Sequence, residues 1–149
     1  MNLSQKCQYA VRAIMELARR HGQGPVTAGE IASIQVIPQR FLEVILNELK
    51  PTGLIESRRG VRGGYLLASD PKDITVGQVI RLIDGPLDPV HCVGDNGKAS
   101  CPLRQRCALV ELWGEARKAV EQIYDGATFH DLVERERQLD GQAAMDFCI

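Results

Sequence analysis

The sequence predicts a mainly α-helical fold with one small β-hairpin, and two patterns support this. Apolar residues recur every three or four positions through four segments of the first 85 residues, and again through a long segment after residue 102. Between the third and fourth helical segments, two short runs typical of strands flank a glycine-rich stretch, residues 59–64. We therefore expect a helical core from which the hairpin projects.

The three N-terminal helices are delimited by capping and helix-breaking residues. The first spans about residues 3–20 and stops before a segment of glycine and proline. The second spans about residues 28–34, because Thr27 and Glu30 have the spacing of a capping box. The third begins at Pro38, where a missing backbone N–H costs no hydrogen bond, and it ends before the next proline.

A hairpin and a fourth helix complete the N-terminal part. The strand candidates span residues 54–58 and 65–68, and residues 75–83 predict the helix. The glycines between the strands permit the positive φ angles of a tight turn. Helix, helix, turn, helix and hairpin follow one another in the order of a winged helix-turn-helix. Residues 1–85 are therefore predicted to be a DNA-binding domain of this class.

The C-terminal part is predicted to contain a cysteine-bearing loop and a long helix. The loop, residues 86–107, overlaps a helix expected to begin at Pro102. The apolar stripe of that helix is too long for a small core to cover, so residues 102–140 are assigned as a dimerisation helix followed by a short last helix from Thr128. The alternative is that the long helix folds back on its own domain. Residues 141–149 are expected to form a mobile tail.

Charge is distributed unevenly along the chain, although the net charge is only −1. Residues 1–65 carry nine Lys and Arg against five Asp and Glu, whereas residues 66–149 carry nine against fourteen. A basic N-terminal half is attracted to phosphates. The sequence has no apolar run typical of a membrane span or secretion signal, so we expect a cytoplasmic protein that does not bind membranes. It also has no catalytic motif, which argues against an enzyme.

Two sets of polar side chains are the candidate contacts to double-stranded DNA. Three lie near the start of the third helix, where this motif reaches base edges in the major groove: Gln39, Arg40 and Glu43. Three arginines of the hairpin suit a narrow, electronegative minor groove: Arg58, Arg59 and Arg62. A solvated helix face explains the first set equally well, but an ordinary soluble turn needs fewer than three cations.

Three stretches resemble the Rrf2 family of winged-helix regulators. They are the hairpin RGVRGGYLLA at residues 59–68, the opening LSQKCQYA at residues 3–10 and the helix VGQVI at residues 76–80, and the likeness covers most of residues 1–125. The resemblance implies a homodimer that crosses its long C-terminal helices and binds a pseudo-palindromic operator. It also implies that Arg59 lies where the family's iron–sulfur cluster regulator has its wing arginine.

Cys92, Cys101 and Cys107 lie close together in a chain that we expect to stay in the cytoplasm, which favours metal or redox chemistry over a disulfide framework. Thiolates select soft metals such as iron–sulfur clusters or zinc, and the start of a helix stabilises the thiolate form. The spacing is neither that of a zinc ribbon nor that of a ferredoxin. On the residues alone, the alternative that these are three unrelated buried thiols therefore stays open. The resemblance implies an iron–sulfur cluster in this segment, with 2Fe–2S favoured over 4Fe–4S.

The fourth ligand of such a cluster is open. Val110 stands where the cluster regulator has a ligating histidine, and Gln8 stands where the family's nitric-oxide-sensitive branch has an acidic ligand. Cys7, next to Gln8, is a candidate that reaches across the dimer. It also falls on the apolar stripe of the first helix, where a free cysteine packs as a small hydrophobe.

Three functions are consistent with these observations. The favoured one is a dimeric repressor whose operator affinity is controlled by a redox-sensitive or nitric-oxide-sensitive cluster. The second keeps the DNA binding and replaces the cluster by a thiol–disulfide switch among the three cysteines. The third is a small metal-transfer or redox protein without a DNA role, and the basic hairpin argues against it.

Overall fold

The computed structural model describes residues 2–94 and 101–146, with side chains through residue 142. Within these ranges the chain forms six α-helices and a two-stranded antiparallel sheet, in the order α1 (Gln5–Arg19), α2 (Ala28–Gln35), α3 (Gln39–Leu49), β1 (Ile55–Arg58), β2 (Gly64–Leu67), α4 (Val76–Asp84), α5 (Leu109–Gly126) and α6 (Phe129–Asp146). This order confirms the predicted helical fold with a hairpin. No helix in the described ranges combines the length and apolar character that crossing a bilayer requires.

The helix starts follow from local hydrogen bonds. Ser4 caps α1 by accepting from the backbone N–H of Cys7 at 3.0 Å. Thr27 and Glu30 form the predicted capping box, in which each side chain accepts from the backbone N–H of the other residue. A second box, between a threonine and a glutamine, caps α4. These side chains satisfy donors that a first helical turn otherwise leaves without partners.

α1 lies at the centre of the hydrophobic core. Its Ile14 and Leu17 are buried together with apolar side chains from α2, α3, the sheet, α4 and α6, among them Ile31, Leu42, Ile45, Ile55, Leu67, Val79, Ile80 and Phe129. Full burial of one such side chain contributes about 1.5–3 kcal/mol. The N-terminal domain therefore depends on the last helix as well as on its own helices.

β1 and β2 form the predicted hairpin, and their pairing ends at Arg58 opposite Gly64. A Cβ atom at Gly63 would lie 2.3 Å from the carbonyl oxygen of Arg58, so glycine is required at this point of the turn. Tyr65 and Val26 exchange two backbone hydrogen bonds of 2.7 and 2.8 Å. The hairpin is thereby fastened to the segment before α2 close to its turn, and residues 59–62 of the turn itself are exposed.

The long helix starts later than the sequence analysis predicts. α5 begins at Leu109 rather than Pro102, because a 3₁₀ turn at Arg104–Arg106 is followed by Cys107 in extended backbone with φ −98° and ψ 106°. Cys107 therefore precedes the helix instead of lying in its opening turns. None of the α5 side chains is buried within the single chain.

The last helix is longer than predicted and folds back on the N-terminal domain. α6 has 18 residues, so residues 141–146 of the expected tail are helical, and residues 147–149 lie outside the described residues. Phe129 is fully buried in the core, and its backbone N–H donates to the carbonyl oxygen of Ile74 at 3.0 Å. The alternative in the sequence analysis was that the long helix folds back on its own domain. In the structure it is the following helix, α6, that packs there.

Val36, in the turn between α2 and α3, has left-handed backbone with φ 51° and ψ 53° although its side chain is β-branched. This conformation costs a non-glycine residue about 1–2 kcal/mol. The Val36 side chain is 77% exposed, so its burial offsets little of that cost. Val36→Gly is therefore expected to raise the free energy of unfolding by about 0.5–1 kcal/mol, after the larger chain entropy of glycine is deducted.

Urea denaturation of Val36→Gly measures this gain. The control is Ser33→Gly, at an exposed position inside α2 with ordinary helical backbone, which is expected to lose about 0.5 kcal/mol. If both variants lost the same free energy of unfolding, the inference that the backbone is strained at Val36 would be wrong.

Candidate DNA interface and cysteine segment

α3 presents its N-terminal end to solvent. Gln39 and Arg40 are exposed and Glu43 is half-buried. The side-chain amide of Gln39 donates to a carboxylate oxygen of Glu43 at 3.1 Å, which orders two of the three side chains in the free protein. Together they offer an amide, a guanidinium and a carboxylate, which are groups that hydrogen-bond base edges in the major groove.

The hairpin presents three exposed arginines. Arg58 ends β1, and Arg59 and Arg62 lie in the turn. Among the side chains of residues 2–94 and 101–142, neither these arginines nor Arg40 has a carboxylate within ion-pair distance, whereas Arg81 is paired with an aspartate. Cations that lack internal partners keep their charge available to phosphates.

The cysteine segment is the loop of residues 86–107. Two arginines that the sequence analysis did not identify hold its backbone beside Cys92. Arg104 donates to the carbonyl oxygen of Cys92 at 2.5 Å. Arg117, on α5, lies 3.1 Å from a carboxylate oxygen of Asp88 and donates to the carbonyl oxygen of Val93 at 3.4 Å. These contacts join residues 12 or more positions apart, so no local pattern indicates them.

Cys92, Cys101 and Cys107 are half-buried free thiols. As soft donors, they have the chemistry that an iron–sulfur cluster requires. In the part of the chain that the structure describes, however, no three His, Cys, Asp or Glu side chains come together as a metal-binding group. The donor types therefore fit a cluster, although the described residues do not by themselves bring three donors together. Residues 95–100, which connect the first two cysteines, lie outside the described residues.

Cys7 lies inside the core. Its side chain is fully buried, and burial, followed by the charge of Asp84, raises the pKa of the thiol from 9.0 to about 11. Asp84 is held by Ser4, whose hydroxyl donates to it at 2.5 Å. A shielded thiol that retains its proton is a poor metal ligand. This environment favours the core role of Cys7 over the role of fourth ligand.

Comparison with known proteins associates these features with one family. Residues 3–135 match the Rrf2 family, described as "Iron-dependent Transcriptional regulator". The HTH-type transcriptional regulator CymR of Bacillus subtilis is 36% identical over 132 residues, which cover 89% of each chain. The HTH-type transcriptional regulator IscR of Sodalis glossinidius is 36% identical over 140 residues, or 94% of this chain and 83% of that protein. These proteins are transcription regulators rather than enzymes.

Solved structures share the fold. CymR, described as the global cysteine regulator of B. subtilis, superposes with a TM-score of 0.76 at 35% identity, covering 91% of this chain and 98% of that chain. The oxidized form of Staphylococcus aureus CymR superposes with a TM-score of 0.69 at 30% identity, covering 90% and 97%. With helix order, hairpin and family match in agreement, the chain belongs to the Rrf2 family of winged-helix transcription regulators.

Proposed function

We propose that the chain is a homodimeric repressor that binds a pseudo-palindromic operator through α3 and the hairpin, and that its cysteine segment senses the signal. The observation that carries the DNA assignment is a set of exposed arginines, none with a carboxylate partner among the described residues: Arg40, Arg58, Arg59 and Arg62. Arginines in an exposed hairpin turn can enter narrow grooves and neutralise phosphates.

A second copy of the chain is the partner proposed for α5. Leu109, Leu112 and Ile123 leave 52%, 52% and 69% of their surfaces exposed in the single chain. Such an apolar stripe is stabilised when another helix covers it. Arg81 donates to both carboxylate oxygens of Asp125, at 2.6 and 2.7 Å, and so fastens the end of α5 to α4. A dimer through α5 therefore has a fixed relation to its DNA-binding domains, and its two-fold symmetry requires a palindromic site.

For the sensing group we propose an iron–sulfur cluster bound by Cys92, Cys101 and Cys107, with 2Fe–2S favoured. Three soft donors and the iron dependence in the description of the matched family support this proposal. A bound cluster would supply a centre that reacts with oxidants or nitric oxide. The chain itself holds the backbone beside Cys92 through Arg104 and Arg117, so this part of the loop is linked to the helix of the dimer contact.

A thiol switch without a cluster is the second candidate. It is favoured by the lack of a three-donor metal group among the described residues. In this function two of the three thiols form a disulfide and give up two protons and two electrons to an oxidant such as a peroxide. The S. aureus CymR, which is 30% identical to this chain, has been solved in an oxidized form. The role of a metal-transfer protein without DNA binding has no comparable support.

Base readout by α3 tests the DNA assignment. Duplexes are selected from a random library with the wild-type protein, and the affinities of Gln39→Ala and Arg40→Ala are then measured for every single-base variant of the selected site. Each variant is expected to lose about 1–3 kcal/mol of discrimination at particular positions. Asn47→Ala, at an exposed position in the last turns of α3, is the control and should keep the wild-type profile. Failure of the wild-type protein to select a palindromic site would overturn the proposal.

A further inference from the structure

Glu16 of α1 is a carboxylate buried to 1% exposure in the domain core. One of its oxygens accepts from the Arg20 side chain at 3.0 Å. The other accepts from the side-chain amide of Gln35 at 3.1 Å and lies 3.4 Å from the guanidinium of Arg19. A buried charge is costly unless its partners stay in place, so Glu16 constrains the residues that contact it.

Gln35 is the residue at which this constraint reaches the DNA-binding motif. It ends α2 and directly precedes the left-handed Val36. Its side chain is held by Glu16, and its backbone carbonyl oxygen accepts from the Arg12 guanidinium. Both attachments come from α1, so α1 holds the last residue of α2 directly before the turn that leads into α3.

Arg19 connects the same network to the last helix. Its guanidinium lies between Glu16 and Glu136 of α6, and it donates to Glu136 at 2.5 Å. This hydrogen bond raises the pKa of Arg19 above its ordinary value. Both Arg19 and Glu136 are about one-third exposed, so their contact is accessible to mutation without opening the core.

We propose that Glu136, Arg19, Glu16 and Gln35 form a positioning relay through which α6 sets the orientation of α3 on DNA. The relay rests on the proposed function in that α3 is the element that reads the operator. α6 follows α5 after two residues, so the relay also connects the proposed dimer helix with the turn before α3. None of the four residues contacts DNA in this proposal; they act through the position of α3.

A double-mutant cycle tests the relay. Glu136→Gln removes one end, and Gln35→Met removes the other while keeping the side-chain size. Each is expected to weaken binding to the selected operator about two- to tenfold, with little change in non-specific binding. The double variant should bind the operator with about the same affinity as the single variant that binds it more weakly. Either substitution breaks the same connection, so the second one should cause no further loss.

The control is Glu134→Gln on the same helix. Among the described residues, the ion-pair partner of Glu134 is Arg137 on the same helix, at 2.6 Å, so the substitution removes a similar charge without breaking an ion pair to α1. It should bind the operator like the wild type. The relay would be overturned if the affinity losses of the two single variants multiplied in the double variant. It would also be overturned if Glu136→Gln bound the operator like the wild type, or if Glu134→Gln lost as much operator affinity as Glu136→Gln.

Hydrogen exchange in the free protein gives a readout independent of DNA. The Ile37 amide, which donates to Ala32 at 2.9 Å across the turn, should exchange faster in Glu136→Gln than in Glu134→Gln. Equal exchange rates of the Ile37 amide in the two variants would overturn the relay, whatever the operator-binding measurements give. A wild-type protein that prefers no operator would instead contradict the proposed function, and exchange at Ile37 would still decide the relay.

Discussion

Replacing Arg59 or Arg62 by alanine is expected to weaken operator binding about tenfold each and to reduce the salt dependence of the binding constant by about one unit of slope. Both side chains lie in the hairpin turn and are exposed, with no carboxylate partner in the described parts of the chain. Each therefore loses a contact to DNA and no contact within the protein. The free energy of unfolding should stay within about 0.5 kcal/mol of wild type.

Binding isotherms over a series of salt concentrations measure both quantities. Arg135→Ala is the matched control, because Arg135 is an exposed arginine on α6, outside the DNA-binding domain. It should leave affinity and slope unchanged. If the two hairpin variants behaved like this control, the hairpin would have no part in DNA binding.

Alanine at Cys92, Cys101 or Cys107 is expected to abolish the visible absorption of anaerobically purified protein, together with its iron and acid-labile sulfide. The reason is that each thiolate is an assigned ligand, and alanine supplies no donor atom in its place. Absorption spectra with iron and sulfide analysis measure the effect. Wild-type protein that contains neither element and resists reconstitution would contradict the cluster, and mass analysis for a disulfide among these thiols would then test the second candidate.

Cys7→Ala is the control for this series. Because Cys7 is buried in the core, its truncation should lower the free energy of unfolding by about 1–2 kcal/mol and leave the spectrum intact. An altered spectrum with normal stability would instead make Cys7 the fourth ligand. The pKa of about 11 adds a second signature. The unfolded thiol loses its proton at lower pH than the folded one, so wild type should lose stability between about pH 9 and 11, and Cys7→Ala should lack this loss.

The N-terminal domain could be predicted from the sequence because local interactions determine its elements. The Thr27 and Glu30 box, the apolar spacing of α1 and α3, and the glycines of the hairpin act over a few residues, and each appears in the structure where the pattern indicates. The candidate DNA contacts followed from the same patterns, since Gln39, Arg40 and the hairpin arginines had only to lie on the solvent side of predicted elements.

The sequence alone therefore determined the order of the elements, the family and the set of thiols and cations available for function. The tertiary structure decided what depends on contacts between distant segments: that α6, through Phe129, packs into the N-terminal core, that Cys7 is buried there, and that Glu16 links α1 to Gln35 and, through Arg19, to α6. The physical reason is the distance along the chain over which each interaction acts. Capping and periodicity are satisfied by near neighbours, whereas burial and ion pairing depend on which surfaces meet, and no local spacing specifies that.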